Sequence, residues 1–190
     1  RAVAIIAASQ VEPSPAGPLT APFQSRARAS GRLAGRLLRP LGGAPVLAQL
    51  ARRLRCATTL TEVVVAVSAS ADDDALLAAV RATGARVFRG AVHDQLARLA
   101  GCIDWLGLPD DAVVVRVPGD HTLVDWGYVD AGVRALRERG AGALEFQEDQ
   151  AEELCAGLSA AFLTAATIRQ VDQKAVDPLH RADPLLYVLE

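Results

Sequence analysis

Arginine and glycine alternate in the segment GRLAGRLLRPLGG, residues 31–43, where their combination could do chemistry. Glycine lets backbone amides come close to a ligand, and the planar guanidinium group of arginine matches the oxygens of a phosphate. Gly31, Arg32, Gly35 and Arg36 are therefore candidates to bind a polyanion such as a nucleoside triphosphate. The sequence contains neither a phosphate loop ending in Gly-Lys-Ser/Thr nor a dinucleotide fingerprint. The alternative is that the two arginines, four residues apart, are the solvated face of a helical turn.

A second candidate, Asp120, follows the most strand-like segment of the chain, DAVVVRV at 111–117. A carboxylate on a glycine-containing turn suits Mg²⁺, which proteins usually hold with one or two carboxylates plus phosphate oxygens. Alternatively, Asp120 only caps the turn before a helix that begins near Trp126. The three aspartates at 72–74 are expected to cap a helix, because side chains one residue apart on a helix do not converge on a metal.

The elements that must position these groups follow from the apolar pattern. Strands are predicted at 2–8, 62–67, 85–88, 111–117 and 141–146. Helices are predicted over 45–54, around 76–80, over 96–106, and from Trp126 to a stop at Gly140. Strands that alternate with helices favour an α/β fold with a mostly parallel central sheet, which binds ligands outside the carboxyl ends of its strands.

Composition and length limit the possible classes of protein. The 190 residues, 51% of them apolar, predict a single domain over 1–190, with a flexible loop at 9–29 that contains four prolines. The net charge of −2 argues against nucleic acid or an anionic membrane surface as a partner. No apolar run approaches a membrane span and no signal peptide is evident, so a cytoplasmic protein is expected. Cys56, Cys102 and Cys155 are expected to be reduced and mostly buried.

Three segments resemble a known family. GRLAGRLLRPLGGAPVL resembles the signature SSRLPGKVLLPLGGKPLL of the cytidylyltransferases that activate sugar acids and of the related spore coat polysaccharide biosynthesis proteins. ARVFRGAVHDQLARL is similar to the VFRGSEDDVLDRY of that group, and VVVRVPGDHTLVD to its VRITGDCPLID. The three matches occur in the family order. The resemblance implies a Rossmann-like, GT-A-like nucleotidyltransferase fold in which a sugar hydroxyl attacks the α-phosphate of Mg²⁺-bound CTP and releases pyrophosphate.

The resemblance also implies roles for particular residues. Arg32 and Arg36 would be catalytic, with Arg36 in place of the usual lysine, and Asp120 would be the Mg²⁺ ligand. The implied nucleotide-binding set, which begins at the end of the first strand, is Ala7, Ala8, Ser30, Gly31, Arg32, Gly35, Arg36, Arg89, Arg116 and Gly119. The family enzymes are commonly dimers, and the C-terminal part, 141–190, with Phe146, Phe162 and Leu163, is expected to supply the contacts of a homodimer.

Departures from the family pattern leave other functions open. The family segment GLDVEVFS corresponds to GLSAAFLT at 157–164, which puts Ser159 and Ala161 where the family has acidic residues. His180 and Arg181 match the family's REHVTPY only in part, and His180 is expected at the surface. The alternatives are a diverged relative that binds a nucleotide or a partner without turnover, and an enzyme of the same fold that uses another nucleoside triphosphate.

Overall fold

A computed structural model describes residues 1–9, 35–144 and 157–189 as helices on both faces of a six-stranded sheet. The strands of the chain are β1 (Ala2–Ala7), β2 (Pro40–Leu41), β3 (Ala44–Pro45), β4 (Glu62–Ser68), β5 (Arg86–Gly90), β6 (Val113–Pro118), β7 (Ala143–Leu144) and β8 (Ala161–Thr164). The α-helices are α1 (Val46–Leu54), α2 (Asp74–Arg81), α3 (Gln95–Trp105), α4 (Trp126–Arg139), α5 (Ala165–Lys174), α6 (Pro178–Ala182) and α7 (Pro184–Leu189). Short 3₁₀ helices precede β2 and α2, at Arg36–Leu38 and Ala71–Asp73.

The main sheet has the strand order β5-β4-β1-β6-β8-β7. β1 pairs in parallel with β4 on one side and β6 on the other, and β4 pairs in parallel with β5. β8 runs antiparallel to β6, and β7 antiparallel to β8. The predicted mostly parallel α/β sheet is therefore confirmed. β2 and β3 form a separate two-stranded hairpin.

Two apolar layers enclose the sheet because the central strands are covered on both faces, as their continuous apolar sequences predict. Alternate residues of β1 point to opposite layers, with Ile6 in one and Ile5 in the other. Helices α1, α2 and α4 cover the Ile6 face, and α3, α5 and α7 cover the Ile5 face. No helix in the described ranges is long and apolar enough to cross a membrane.

The four predicted helices are confirmed, and Gly140 ends α4 in the left-handed conformation (φ 59°). Two details of their neighbourhood differ from expectation. Trp126, expected on the buried stripe of α4, is 41% exposed because it lies in the first turn. Ser70, rather than an aspartate, accepts the capping hydrogen bond from Asp72 N, and Asp73 is fully buried, where it accepts hydrogen bonds from Ser68.

Several expectations for the thiols and the C-terminal part are wrong or lie outside the described residues. Cys56 is exposed at the end of α1, whereas Cys102 is buried in α3, and burial raises the pKa of its thiol to about 12. Phe162 and Leu163 are fully buried in β8 and cannot provide contacts for a partner chain. His180 is half-buried and packs edge-on against Tyr187. Cys155, Phe146 and nearly all of the loop at 9–29 lie outside the described residues.

Residues 161–189 contain elements that the sequence did not predict: β8 and the helices α5, α6 and α7. β8 is held against α4 by a close approach, because a Cβ built on Gly132 would lie 2.1 Å from the ring of Phe162. Glycine at 132 thus leaves the space that the phenylalanine ring fills. This packing brings the amino end of β8 to the edge of the sheet where β6 ends.

Candidate active site

Three chain segments meet at the carboxyl edge of the sheet: the end of β1, the 3₁₀ helix at Arg36–Leu38 and the turn after β6. The backbone N–H of Gly119 donates to the carbonyl oxygen of Ala7 over 2.9 Å. A Cβ at 119 would lie 3.1 Å from that oxygen, 3.3 Å from Ala8 Cβ and 3.4 Å from Leu37 Cδ1. Glycine therefore allows the motif after β6 to pack directly on the end of the central strand.

The contact between Arg36 and Asp120 joins the two candidate groups that the sequence placed far apart in the chain. Arg36 Nη2 lies 3.4 Å from Asp120 Oδ2, and 27% and 37% of the two side chains are exposed. Gly35, in the left-handed conformation (φ 70°) that glycine tolerates best, precedes the 3₁₀ helix and directs its first residue to this edge. The guanidinium of Arg36, which could bind phosphate oxygens, and the carboxylate of Asp120, which could bind a cation, thus lie side by side in contact with solvent.

The loop that carries Asp120 is held in place by α1. Arg53 Nε donates to the carbonyl of Val124 (3.3 Å) and Nη2 to that of Leu123 (3.4 Å), while its guanidinium lies 5.1 Å from the ring centre of Trp126. Sequence reasoning did not select Arg53, because an arginine on the polar side of an amphipathic helix carries no signal of such a contact. Asp125 accepts the capping hydrogen bond of α4 from Tyr128 N. Asp125, and not Asp120, therefore caps α4.

His121 connects this loop to the segment before β8. Its Nδ1 lies 2.9 Å from the carbonyl oxygen of Ser159. Because β8 is antiparallel to β6, the residues that precede β8 lie at the edge where β6 ends. The structure thus places Ser159 next to the Asp120 loop. Sequence reasoning did not select His121.

Arg89 lies at the same edge, at the end of β5. It donates to the carbonyls of Ser68 (3.3 Å) and Ser70 (2.8 Å), and its Nη1 lies 2.9 Å from Asp74 Oδ1. These contacts fix the loop between β4 and α2. The predicted contact of Arg89 with the nucleotide stays a prediction.

Arg116 lies on the opposite face of the sheet from the 3₁₀ helix, towards α3. Its Nη1 donates to Asp183 (3.1 Å) and its Nη2 to Gln95 (3.2 Å), and the residue is only 8% exposed. These partners tie β6 to the start of α3 and to the turn between α6 and α7. The nucleotide contact implied for Arg116 stays a prediction, as do the roles of Ser30, Gly31 and Arg32, which lie outside the described residues.

The donor set at this edge fits a hard divalent cation that is also bound by a nucleotide. Within 1–9, 35–144 and 157–189 no group of three acidic, histidine or cysteine side chains could hold a metal alone. Mg²⁺ does not need such a group, because it commonly keeps water and phosphate oxygens and takes one or two protein carboxylates. Asp120, partly exposed and next to a phosphate-binding candidate, fits that requirement.

A mostly parallel sheet with a guanidinium and a carboxylate at its carboxyl edge is the arrangement of an α/β protein that binds a ligand at that edge. The chain belongs to the cytidylyltransferase family, since the family model described as Cytidylyltransferase matches residues 24–177.

Two relatives show what the chain is similar to. An 8-amino-3,8-dideoxy-manno-octulosonate cytidylyltransferase of Shewanella baltica is 33% identical over 118 residues, which cover 61% of this chain and 46% of that protein. A 3-deoxy-manno-octulosonate cytidylyltransferase of Methylibium petroleiphilum is 35% identical over 112 residues, or 58% of this chain and 40% of that protein. The matched part of the chain spans less than half the length of each relative.

Solved structures share the fold. A cytidylyltransferase of Leptospira borgpetersenii superposes with a TM-score of 0.80 at 22% identity, over 98% of this chain and 70% of that one. A CMP:2-keto-3-deoxy-manno-octonic acid synthetase complexed with CTP gives a TM-score of 0.66 at 14% identity, over 100% of this chain and 85% of that one. The predicted Rossmann-like nucleotidyltransferase fold is confirmed.

Proposed function

We propose that this chain transfers CMP from CTP to a sugar or sugar acid, with release of pyrophosphate, in the biosynthesis of a surface polysaccharide or another glycan. The observation that carries the proposal is the contact of Arg36 with Asp120 at the carboxyl edge of a cytidylyltransferase fold. The sugar-acid acceptor is proposed because the named relatives act on octulosonates.

In the proposed reaction a hydroxyl oxygen of the acceptor forms a bond to the α-phosphorus. The bond from that phosphorus to the bridging oxygen breaks, its electron pair leaves with pyrophosphate, and the proton of the attacking hydroxyl passes to solvent. Arg36 offsets negative charge on the phosphates, as a preorganised donor does at a transition state. Asp120 would hold Mg²⁺, and the ion would supply polarisation of phosphoryl oxygens and neutralisation of the leaving group's charge. Arg53 keeps the Asp120 loop in position through its two carbonyl contacts.

The test is an assay of pyrophosphate release with each of the four nucleoside triphosphates, Mg²⁺ and a panel of sugar acids. We expect turnover with CTP, and a loss of more than about a hundredfold in Asp120→Asn, because several kcal/mol of charge stabilisation depend on the metal. Asp111→Asn, an exposed aspartate just before β6, is the matched control and should retain activity. Turnover that survives in Asp120→Asn would contradict the role of Asp120.

A second candidate function is a non-catalytic protein that binds a nucleotide or a partner. The observation that favours it is Ser159, a residue without a carboxylate at a position where the resembling family has an aspartate. Binding of CTP without turnover on any acceptor would support this candidate. If the protein turned over another nucleoside triphosphate in preference to CTP, the proposed base would be wrong, but the proposed type of reaction would stand.

Assembly and location stay predictions. We propose a homodimer in the cytoplasm; its contacts must come from residues other than the buried Phe162 and Leu163.

A further inference from the structure

The imidazole of His121 is held in one hydrogen-bonding state by the backbone. Its Nδ1 lies 2.9 Å from the carbonyl oxygen of Ser159. A carbonyl oxygen only accepts, so Nδ1 carries the hydrogen and Nε2 of the neutral ring carries a lone pair. Among residues 1–9, 35–144 and 157–189, Nε2 has no hydrogen-bond partner. It is also not fully buried, so it keeps contact with solvent.

This arrangement is the usual surrounding of a histidine that binds a metal. Such a histidine donates its second ring N–H to a backbone carbonyl or a carboxylate, which fixes both the tautomer and the ring orientation. His93, an exposed residue before α3, does not share it among the described residues.

The backbone holds His121 directly beside Asp120. The N–H of His121 donates to the carbonyl of Pro118 (3.0 Å), and the N–H of Thr122 donates to the carbonyl of Asp120 (2.9 Å). Both residues are therefore part of one tight turn, at the edge of the sheet where Arg36 offers a cation for phosphates. An imidazole nitrogen and a carboxylate oxygen are available on consecutive residues of a loop that Arg53 fixes.

We propose that His121 Nε2 is a second protein ligand, beside the Asp120 carboxylate, of the metal ion bound with the nucleotide. This inference rests on the proposed function only in that it places a nucleotide and a metal at this edge. In this proposal the protein binds the metal ion through one imidazole nitrogen and one carboxylate, and not through oxygen atoms alone. Imidazole favours transition metals, whereas Mg²⁺ favours oxygen, so the site should prefer Mn²⁺ or Co²⁺ over Mg²⁺.

The first experiment measures Mn²⁺ binding to the whole chain in the presence of CTP and without an acceptor, from the electron paramagnetic resonance signal of free Mn²⁺. We expect His121→Asn to weaken Mn²⁺ binding by at least about tenfold. Loss of a residue that only hydrogen-bonds to a metal ligand already weakens metal binding by about that factor, and loss of a ligand itself should weaken it at least as much. His93→Asn is the matched control and should bind Mn²⁺ as the wild type does. In competition experiments, His121→Asn should lose less affinity for Mg²⁺ than for Mn²⁺.

The second experiment examines the wild type itself and so does not depend on how well a variant folds. Electron spin echo measurements on the Mn²⁺–CTP complex should show coupling to a ¹⁴N nucleus, and this coupling should be absent in His121→Asn and present in His93→Asn. Absence of the coupling in the wild type, or equal Mn²⁺ affinity in the wild type and His121→Asn, would overturn the proposal. So would a failure of Mn²⁺ to bind with CTP.

The two proposals fail in different ways. Nitrogen coupling without turnover on any acceptor would support the role of His121 while contradicting the transferase activity. Turnover with CTP by a protein whose Mn²⁺ affinity does not change in His121→Asn would support the transferase and overturn the role of His121.

Discussion

Arg36 and Arg181 are both arginines that reach an aspartate, but their surroundings differ. Arg181 donates to the carboxylates of Asp94 and Asp172 and also to the carbonyls of Asp172 (3.1 Å) and Ala175 (2.9 Å). The hydrogen bond to Asp94, followed by that to Asp172, raises the pKa of Arg181. Arg36 approaches Asp120 only to 3.4 Å, at an edge open to solvent. The two side chains are exposed to a similar extent (25% and 27%), so the contrast lies in their place in the fold: the first arginine joins α3 and α5, whereas the second faces Asp120 at the carboxyl edge.

The same contrast separates two aspartates. Asp130, in α4, is 6% exposed and accepts four hydrogen bonds from the N–H and hydroxyl groups of Thr58 and Thr59, which hold the connection between α1 and β4. Burial raises its pKa, but these hydrogen bonds outweigh burial and hold the pKa of Asp130 well below its usual value. Asp120 has 37% of its side chain exposed. Asp130 therefore holds two parts of the fold together, whereas Asp120 is in contact with solvent at the carboxyl edge.

The largest expected effect is on catalysis, from Arg36→Ala. Loss of a preorganised donor to the phosphates should lower turnover by about a hundredfold to a thousandfold. Fold stability should fall by about 1 kcal/mol or less, since the side chain is 27% exposed and its ion pair with Asp120 is in contact with solvent. Steady-state pyrophosphate release and urea unfolding measure the two quantities.

The matched control for this variant is Arg39→Ala, an exposed arginine at the end of the same 3₁₀ helix. It should keep wild-type turnover. Equal losses of activity in the two variants would contradict a specific role for Arg36 and leave only a general effect of positive charge.

The next effect is on stability, from Arg181→Ala. The change leaves Asp94 and Asp172 without their charged donor, and we expect the free energy of unfolding to fall by about 2 kcal/mol, typical of hydrogen bonds to charged groups. Turnover per folded molecule should stay the same. Urea unfolding at equilibrium measures the change, with Arg134→Ala, an exposed arginine on α4, as the control. If the urea midpoint of Arg181→Ala equalled that of the wild type, the contacts of Arg181 would not stabilise the fold, and the contrast with Arg36 would be contradicted.

The smallest effect is a pH dependence that Asp130 contributes. Because its pKa is lower in the folded than in the unfolded chain, its ionised form stabilises the fold above the unfolded pKa of about 3.9, and this contribution is lost as the pH falls below that value. Asp130→Asn should be less stable than the wild type by about 1–3 kcal/mol near neutral pH. Below about pH 4 the difference should narrow. The free energy of unfolding of Asp111→Asn, the control, should depend on pH as that of the wild type does. If the stability difference between Asp130→Asn and the wild type grew as the pH falls, the assigned direction of the pKa shift would be wrong.

The central part of the fold was predictable because residues 2–7 and 113–117 are short runs rich in valine and isoleucine that alternate with helical patterns, which favours strands buried on both faces. The end of the chain was not. β8 is four residues long, and its residues Ala161, Phe162 and Leu163 do not alternate with polar ones, so its sequence does not distinguish a strand from a helix. Its position depends on the fit of Phe162 against Gly132, a contact between distant residues.

The candidate site was predictable where a residue type has an evident chemical use, as for Arg36, Asp120 and Gly119, which the structure brings together. Arg53 and His121 were missed because their importance arises from carbonyl groups that approach them in the folded chain. For Arg116 the family resemblance implied a nucleotide contact, which stays a prediction. The contacts of its side chain with Asp183 and Gln95 join residues far apart in the chain, so no local pattern indicates them.

The central place of β1 in the sheet has a consequence for how the protein folds. β1 pairs with β4 and β6, so that Ala2 lies beside Val113 and Val3 beside Glu62. Contacts between residues so far apart in the chain close large loops before they gain stabilising energy, which slows folding relative to a chain with local contacts. During synthesis, β1 can have both neighbours only after β6 has left the ribosome. The carboxyl edge, which needs the ends of both β1 and β6, should therefore form among the last parts of the molecule.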